Sequence, residues 1–137
     1  MAGWREPPIA LRRTSQGTLM SMLANVVVDI IALLHVYILV LEMFLWDKPA
    51  GLRAFGQTQQ AATATKVLAA NQGLYNGFLA AGLFWGLGLG AAGLSVKVFF
   101  LGCVLVAGLY GAATANKKIL YIQAVPAAIG LGLLLMT

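Results

Sequence analysis

The 137-residue chain is 61% hydrophobic and only 9% charged, and its formal net charge is +5. A soluble domain carries about 25% charged residues, so a water-soluble fold of this length could not cover so much apolar surface, and lipid must solvate much of the chain. The length suits one domain. The basic residues are spread over short connectors and the N-terminal stretch, which excludes a nucleic-acid-binding patch and favours contact with anionic lipid headgroups.

Four apolar segments approach the roughly 20 residues that a membrane-spanning helix needs. They cover about residues 23–46, 67–92, 96–115 and 119–136. The last two connectors are so short that neighbouring helices must be antiparallel. The sequence therefore predicts an all-α fold: an integral membrane up-down four-helix bundle. A mobile N-terminal tail is expected at residues 1–20 and a single four-helix transmembrane domain at residues 21–137.

The connector between the first two segments is the only long one. Pro49 and Gly51 follow the first segment and end its helix, and the polar stretch up to Thr65 is expected to include a short helix at the membrane interface. The next connector is almost absent, and Lys97 is interpreted as marking the membrane surface there. Basic residues are nearly balanced between the two sides of the bundle, so the positive-inside rule does not decide its orientation.

Polar side chains from all four segments fall in the same half of the predicted bundle. If Trp46 marks one membrane surface, Glu42 lies roughly 6 Å deep and His35 about 17 Å deep at 1.5 Å rise per residue. A separation of seven residues puts both on one face of the helix. The remaining members, from the later segments, are Asn71, Gln72, Asn76, Tyr110, Thr114, Tyr121 and Gln123.

Polar groups in hydrocarbon are costly unless they meet one another or water. We therefore expect a polar pocket that opens toward the first and third connectors, with His35 at its floor and Glu42 nearer its mouth. In the alternative interpretation, the amides and tyrosines only hydrogen-bond between helices and hold the bundle together. Asp29 lies in the other half and is not assigned to the pocket.

Other signatures concern packing and cofactors. Glycines spaced four apart at Gly82, Gly86 and Gly90, with Gly108 and Gly111 in the next segment, allow close helix contact within the bundle or in a homodimer. One histidine, one cysteine and four acidic residues cannot supply the usual ligands of a metal site. The sequence predicts no metal and no cofactor.

The stretches "HVYILVLEMFLW", "TKVLAANQGLYNGFLAAGL", "AGLYGAAT" and "IQAVPA" together resemble the small bacterial integral-membrane family DUF1304. The resemblance covers about residue 22 to the C-terminus and implies a compact four-helix protein of the bacterial cytoplasmic (inner) membrane that crosses it several times. It implies no established activity. The residues here that match the hallmarks of the family are His35, Glu42, Asn71, Gln72, Tyr75, Asn76, Tyr110 and Gln123.

Three functions compete at this point. In the favoured hypothesis the protein binds a small lipophilic molecule or converts it without a metal, with His35 and Glu42 as the catalytic acid/base pair. The other hallmark residues would then bind the ligand. The alternatives are a proton-coupled small-molecule transporter and an accessory subunit that docks a larger membrane complex through its glycine faces. Whether the protein is an enzyme is left open.

Overall fold

The computed structural model describes residues 3–137, with backbone only for residues 10–14, and every regular element in this range is helical. The helices are α1 (Ile9–Phe44), α2 (Pro49–Phe55), α3 (Gln59–Gly88), α4 (Leu94–Thr114) and α5 (Val125–Leu135). A 3₁₀ turn at Gly90–Gly93 joins α3 to α4, and a π-helical turn at Leu120–Ala124 leads directly into α5. The predicted all-α class is confirmed.

Helix α1 is longer than the first apolar segment. It begins at Ile9 and has 36 residues, so it is about 54 Å long. Much of the segment assigned to the N-terminal tail therefore has helical backbone. Residues 1 and 2 of that tail lie outside the described residues, and the mobility of the tail stays a prediction.

The short helix expected in the long connector is present as α2. Pro49 occupies its first turn, where a proline lacks only an N–H that would be unpaired anyway. Gly56 ends the helix with φ of 62°, a left-handed conformation that glycine adopts without strain. Thr58 then starts α3 by accepting a hydrogen bond from the backbone N–H of Ala61 at 3.2 Å.

The core lies where α1 packs against α3 and α5, and where α4 packs against α3 and α5. Its buried side chains are aliphatic and come from α1, α3, α4 and α5: Ala24, Val28, Ile31, Ala32, Leu83, Leu101, Val104, Ala127 and Leu134. Many large apolar side chains nevertheless face outward, among them Ile30, Val67 and Phe99. An exterior of this kind is typical of a surface that contacts other apolar material rather than water.

Two helical segments are long and apolar enough to cross a membrane, Ser15–Phe44 and Gly90–Thr114. Only 33% and 28% of their most apolar stretches are buried inside the chain, whereas the core helix of a soluble protein is mostly buried. The last helix is apolar but shorter, at Leu120–Leu135. Helix α3 has 30 residues, but its amide side chains make it less apolar than these segments.

Several of the glycines are used for packing inside the chain, although Gly90 has open space around it. A methyl group on Gly82 would collide with the ring of Phe100. A methyl group on Gly108 would lie 2.7 Å from the backbone nitrogen of Ala124, so α4 and the π-helical turn meet backbone to backbone. Dimerisation through these glycine faces stays a prediction.

The interpretation of Lys97 as a surface marker is wrong for its side chain. Lys97 is only 6% exposed and its ammonium donates a hydrogen bond to Oδ1 of Asn25 at 2.8 Å. Its aliphatic stem crosses Gly86, where an added methyl group would lie 2.6 Å from the Lys97 Cγ atom. The glycine thus makes room for a long side chain to turn inward between α1, α3 and α4.

Replacing Asn25 by leucine should lower the free energy of unfolding by about 1 kcal/mol, because the Lys97 ammonium loses its acceptor. The cost stays small because Lys97 lies in the first turn of α4 and can extend its charged end toward the surface. Lys97→Met in the Asn25→Leu background should restore most of the loss. Thermal unfolding in detergent micelles measures both variants, and an unchanged midpoint for Asn25→Leu would contradict the prediction.

Candidate functional site

The site is built where α1 and α3 approach most closely. A methyl group on Gly73 would lie 2.6 Å from Met43 Cγ, 3.0 Å from Glu42 Cβ and 3.2 Å from the carbonyl oxygen of Leu39. One turn further along α3, a methyl group on Gly77 would lie 2.6 Å from Leu39 Cδ1. The missing side chains of these two glycines let α3 lie directly against the end of α1 that carries Glu42.

Glu42 is held between the two helices. It is 6% exposed, and its Oε1 accepts a hydrogen bond of 3.1 Å from the side-chain amide of Asn76, which is also 6% exposed. The same amide nitrogen donates to the backbone carbonyl of Gln72 at 3.2 Å. Both N–H groups of the Asn76 amide are therefore used, and Asn76 fixes the carboxyl group of Glu42 in place.

Beside this pair lies an open recess of about 300 Å³. It is lined by Glu42 and Trp46 of the α1 end, Gln57 of the connector, and Thr65, Leu68, Ala69 and Gln72 of α3. Leu68 is 72% exposed, so the recess opens on the outer surface of the α1–α3 pair. A small molecule could enter it from the side of the bundle.

The mouth of the recess is held by the connector and the start of α3. The indole N–H of Trp46 donates to the hydroxyl of Thr65 at 3.0 Å, and its ring lies 4.8 Å from that of Phe55, centroid to centroid. Lys66 forms an ion pair with Asp47 at 3.0 Å. The hydrogen bond from Lys66 holds the pKa of Asp47 below its ordinary value. These contacts join the residues that follow α1 to the first turns of α3, next to the recess.

His35 lies deeper on α1 and does not line the recess. It is fully buried, and its Nδ1 lies 2.8 Å from the carbonyl oxygen of Ile31. Because a carbonyl oxygen only accepts, Nδ1 carries the hydrogen, and Nε2 has no hydrogen-bond partner among the described residues. The two turns between His35 and Glu42 amount to about 10 Å of rise, which is too far for direct proton transfer.

The structure brings only part of the predicted site together. Glu42 and Gln72 line the recess, and the Asn76 amide donates to the Glu42 carboxyl group and to the Gln72 backbone carbonyl. Asn71 is exposed and donates to the Val67 carbonyl of its own helix at 3.1 Å. Tyr75 and Tyr110 are 59% and 72% exposed and do not line the recess. Their predicted roles in ligand binding stay untested.

Gln123 is half-buried and belongs to the π-helical turn. Within that turn the backbone N–H of Val125 bonds to the Leu120 carbonyl, five residues earlier. The next residue, Pro126, has no N–H to continue the pattern. Single π-turns inside helices are frequent at functional sites, and this one widens the last helix where it packs on Gly108 of α4.

Sequence reasoning missed several residues of the recess, namely Trp46, Gln57, Thr65, Leu68 and Ala69. A usable signal was present for most of them. Trp46 follows Glu42 by four residues, and the α3 members share one helix face with Gln72 because they are spaced three or four apart. Gln57 had no such signal, since it lies in the connector.

Comparison with known proteins agrees with the motifs. The family model described as Protein of unknown function (DUF1304) matches residues 29–135. A protein of Lactococcus lactis subsp. lactis (strain IL1403), named Uncharacterized protein YpaA, is 31% identical over 106 residues, which cover 76% of this chain and 89% of that protein. No solved structure matches the chain. The chain therefore belongs to the DUF1304 family.

Proposed function

We propose that the chain is a multi-pass protein of the bacterial inner membrane whose recess at Glu42 binds a small lipophilic molecule. The two long apolar segments and the outward-facing apolar side chains support the membrane placement. The long helical elements would form the four-helix membrane bundle, with α2 and the connector at one surface. Lipid would then cover the exterior that the chain itself leaves exposed.

One observation carries the binding proposal: a carboxyl group that is 6% exposed forms part of the wall of an open recess. An ionisable group inside a membrane segment is expensive and is usually retained for function. Here Asn76 holds it from the neighbouring helix. The apolar surface of Leu68 and the exposed amide of Gln72 complete a site with an apolar body and a few convergent polar groups, as ligand sites commonly have.

Binding is better supported than catalysis. An acid/base pair must reach the same reacting molecule through hydrogen bonds or one water, and His35 lies about 10 Å of helix rise from Glu42. Conversion of the ligand would require a molecule that extends from the recess into the core beside His35. We therefore propose Glu42 as the main polar contact, with Asn76 positioning it and Gln72 orienting the ligand.

The test is native mass spectrometry with organic extraction of the purified protein, of Glu42→Gln and of Asp29→Asn. Glutamine keeps an oxygen that can accept from Asn76, while Asp29→Asn removes a carboxylate from an exposed position of the same helix. A discrete small molecule should co-purify with the wild type and with Asp29→Asn and be lost from Glu42→Gln. Only bulk lipid in all three samples would contradict the proposal.

The Lys97–Asn25 pair supports a second candidate, proton-coupled transport. It lies near the end of the bundle opposite Glu42, and His35 lies between the two on α1. A transporter needs polar groups that can serve both sides of the membrane in turn. Movement of the co-purified molecule across proteoliposomes, driven by a pH gradient, would favour transport over binding alone.

A further inference from the structure

We propose that the ligand of the recess is a cationic amphiphile, that is, a protonated amine on an apolar body. This inference rests on the proposed function and names the chemical class of its ligand. The lining of the recess holds one acidic group and no basic group. Glu42 is the only ionisable residue of the seven that line the recess. Among the described residues its single hydrogen bond comes from an uncharged amide, so its carboxyl group has no cationic partner there.

Some of the hydrogen-bond donors around the recess are already used. The indole N–H of Trp46 is bound to Thr65, and the Thr65 hydroxyl donates to the Ala61 carbonyl at 2.8 Å. Both N–H groups of Asn76 are occupied. The second oxygen of Glu42 and the side-chain oxygens of Gln57 and Gln72 remain as acceptors. The amides of Gln57 and Gln72 also carry N–H donors. An ammonium group, which only donates, can use the three oxygen acceptors, and its bond to a carboxylate is stronger than a hydrogen bond between neutral groups.

The position of Glu42 on its helix adds to the negative potential. Glu42 lies in the last turn of α1, which ends at Phe44, and no basic residue occupies that turn. The C-terminal end of a helix carries about half a negative charge. A cation bound here would therefore interact favourably with the Glu42 carboxyl group and with the end of α1. The nearby basic side chains are not paired with Glu42. Lys66 pairs with Asp47, and Lys48 and Arg53 are exposed.

The remaining walls fit the rest of such a molecule. Trp46 lines the recess together with Glu42, and an indole ring can attract a cation. Leu68 and Ala69 are apolar and would pack on the carbon chain. The volume of about 300 Å³ is at the lower end for ligand sites. It suits an ammonium head with a short chain, and a longer chain would continue past Leu68 onto the apolar exterior.

The experiment compares three probes with the same eight-carbon chain, octylammonium, octanol and octanoate, on full-length protein in nanodiscs of zwitterionic lipid. Octylammonium should bind saturably with one molecule per chain. Octanol and octanoate should bind at least about tenfold more weakly, because a charge-assisted hydrogen bond exceeds a neutral one by roughly that factor. Glu42→Gln should lose about tenfold in octylammonium affinity, and Asp29→Asn should keep wild-type affinity.

The outcomes separate this inference from the function on which it rests. Saturable, Glu42-dependent binding of octanol as tight as that of octylammonium would contradict the cationic class of the ligand but would still support the binding function. Absence of saturable binding for all three probes, with no co-purified molecule, would overturn both. Equal octylammonium affinity in Glu42→Gln and the wild type would overturn the cation inference. The three probes are compared on the wild-type protein, so this result does not depend on whether a variant folds.

Discussion

Replacing Gly73 by alanine is expected to lower the free energy of unfolding by about 1–3 kcal/mol, the usual cost of overpacking a close helix contact. The new methyl group would meet Glu42 Cβ, Met43 Cγ and the backbone oxygen of Leu39 within 3.2 Å. A carbonyl oxygen in a helix cannot move aside as a side-chain end can. The two helices must therefore separate, and valine should cost more than alanine.

Gly77→Ala is the matched control one turn away on α3. Its methyl group would meet only the side chain of Leu39, at the terminal Cδ1, which can change rotamer. We expect a loss below about 1 kcal/mol for this variant. Chemical unfolding in micelles, followed by circular dichroism, measures both. Equal losses at the two glycines would show that the backbone contact at Gly73 does not determine the helix separation.

Replacing Asn76 by leucine should cost about 1–3 kcal/mol of unfolding free energy and abolish ligand binding. Leucine has a similar size but no donor, so the buried carboxyl of Glu42 loses its 3.1 Å hydrogen bond. An unsatisfied buried polar group bears its full desolvation penalty. The double variant Asn76→Leu/Glu42→Leu should recover much of the stability, since replacing both partners by apolar groups is often nearly neutral, but should not recover binding.

Asn71→Leu provides the control for this prediction. Asn71 is exposed and bonds only to its own helix, so its replacement should leave stability and binding nearly unchanged. Unfolding in micelles and binding of octylammonium are the two measurements. A loss of binding in Asn71→Leu as large as that in Asn76→Leu would mean that the ligand lies on the exposed face of α3 instead of in the recess.

The depth of a side chain along its helix could be predicted from the sequence, but the direction in which it points could not. The calculated position along the helix axis placed Glu42, Gln72 and Asn76 at similar depths, and the structure brings them into contact. This position depends only on the rise per residue. The same calculation also grouped Tyr110, which is 72% exposed. Which face of a helix turns inward depends on where neighbouring backbones can approach, as α3 approaches α1 at Gly73.

The burial of the Lys97 side chain is a second feature that could not be predicted from the sequence. A lysine beside a tight turn is normally expected at the surface, and composition gives no reason to expect otherwise. Its burial depends on the space above Gly86 and on the acceptor at Asn25, 72 residues away in the chain. The helical class, by contrast, could be predicted with ease, since apolar runs of this length leave few other ways to pair backbone groups.

The turn between α3 and α4 has a consequence for how the protein is made. A methyl group on Gly93 would collide with the carbonyl group of Gly86, so the two helices are joined with almost no slack. In the proposed membrane placement, α3 carries the amides of the recess and is not among the segments apolar enough to cross on their own, while α4 is. Helix α3 would therefore enter the bilayer during synthesis together with α4, as one helical hairpin.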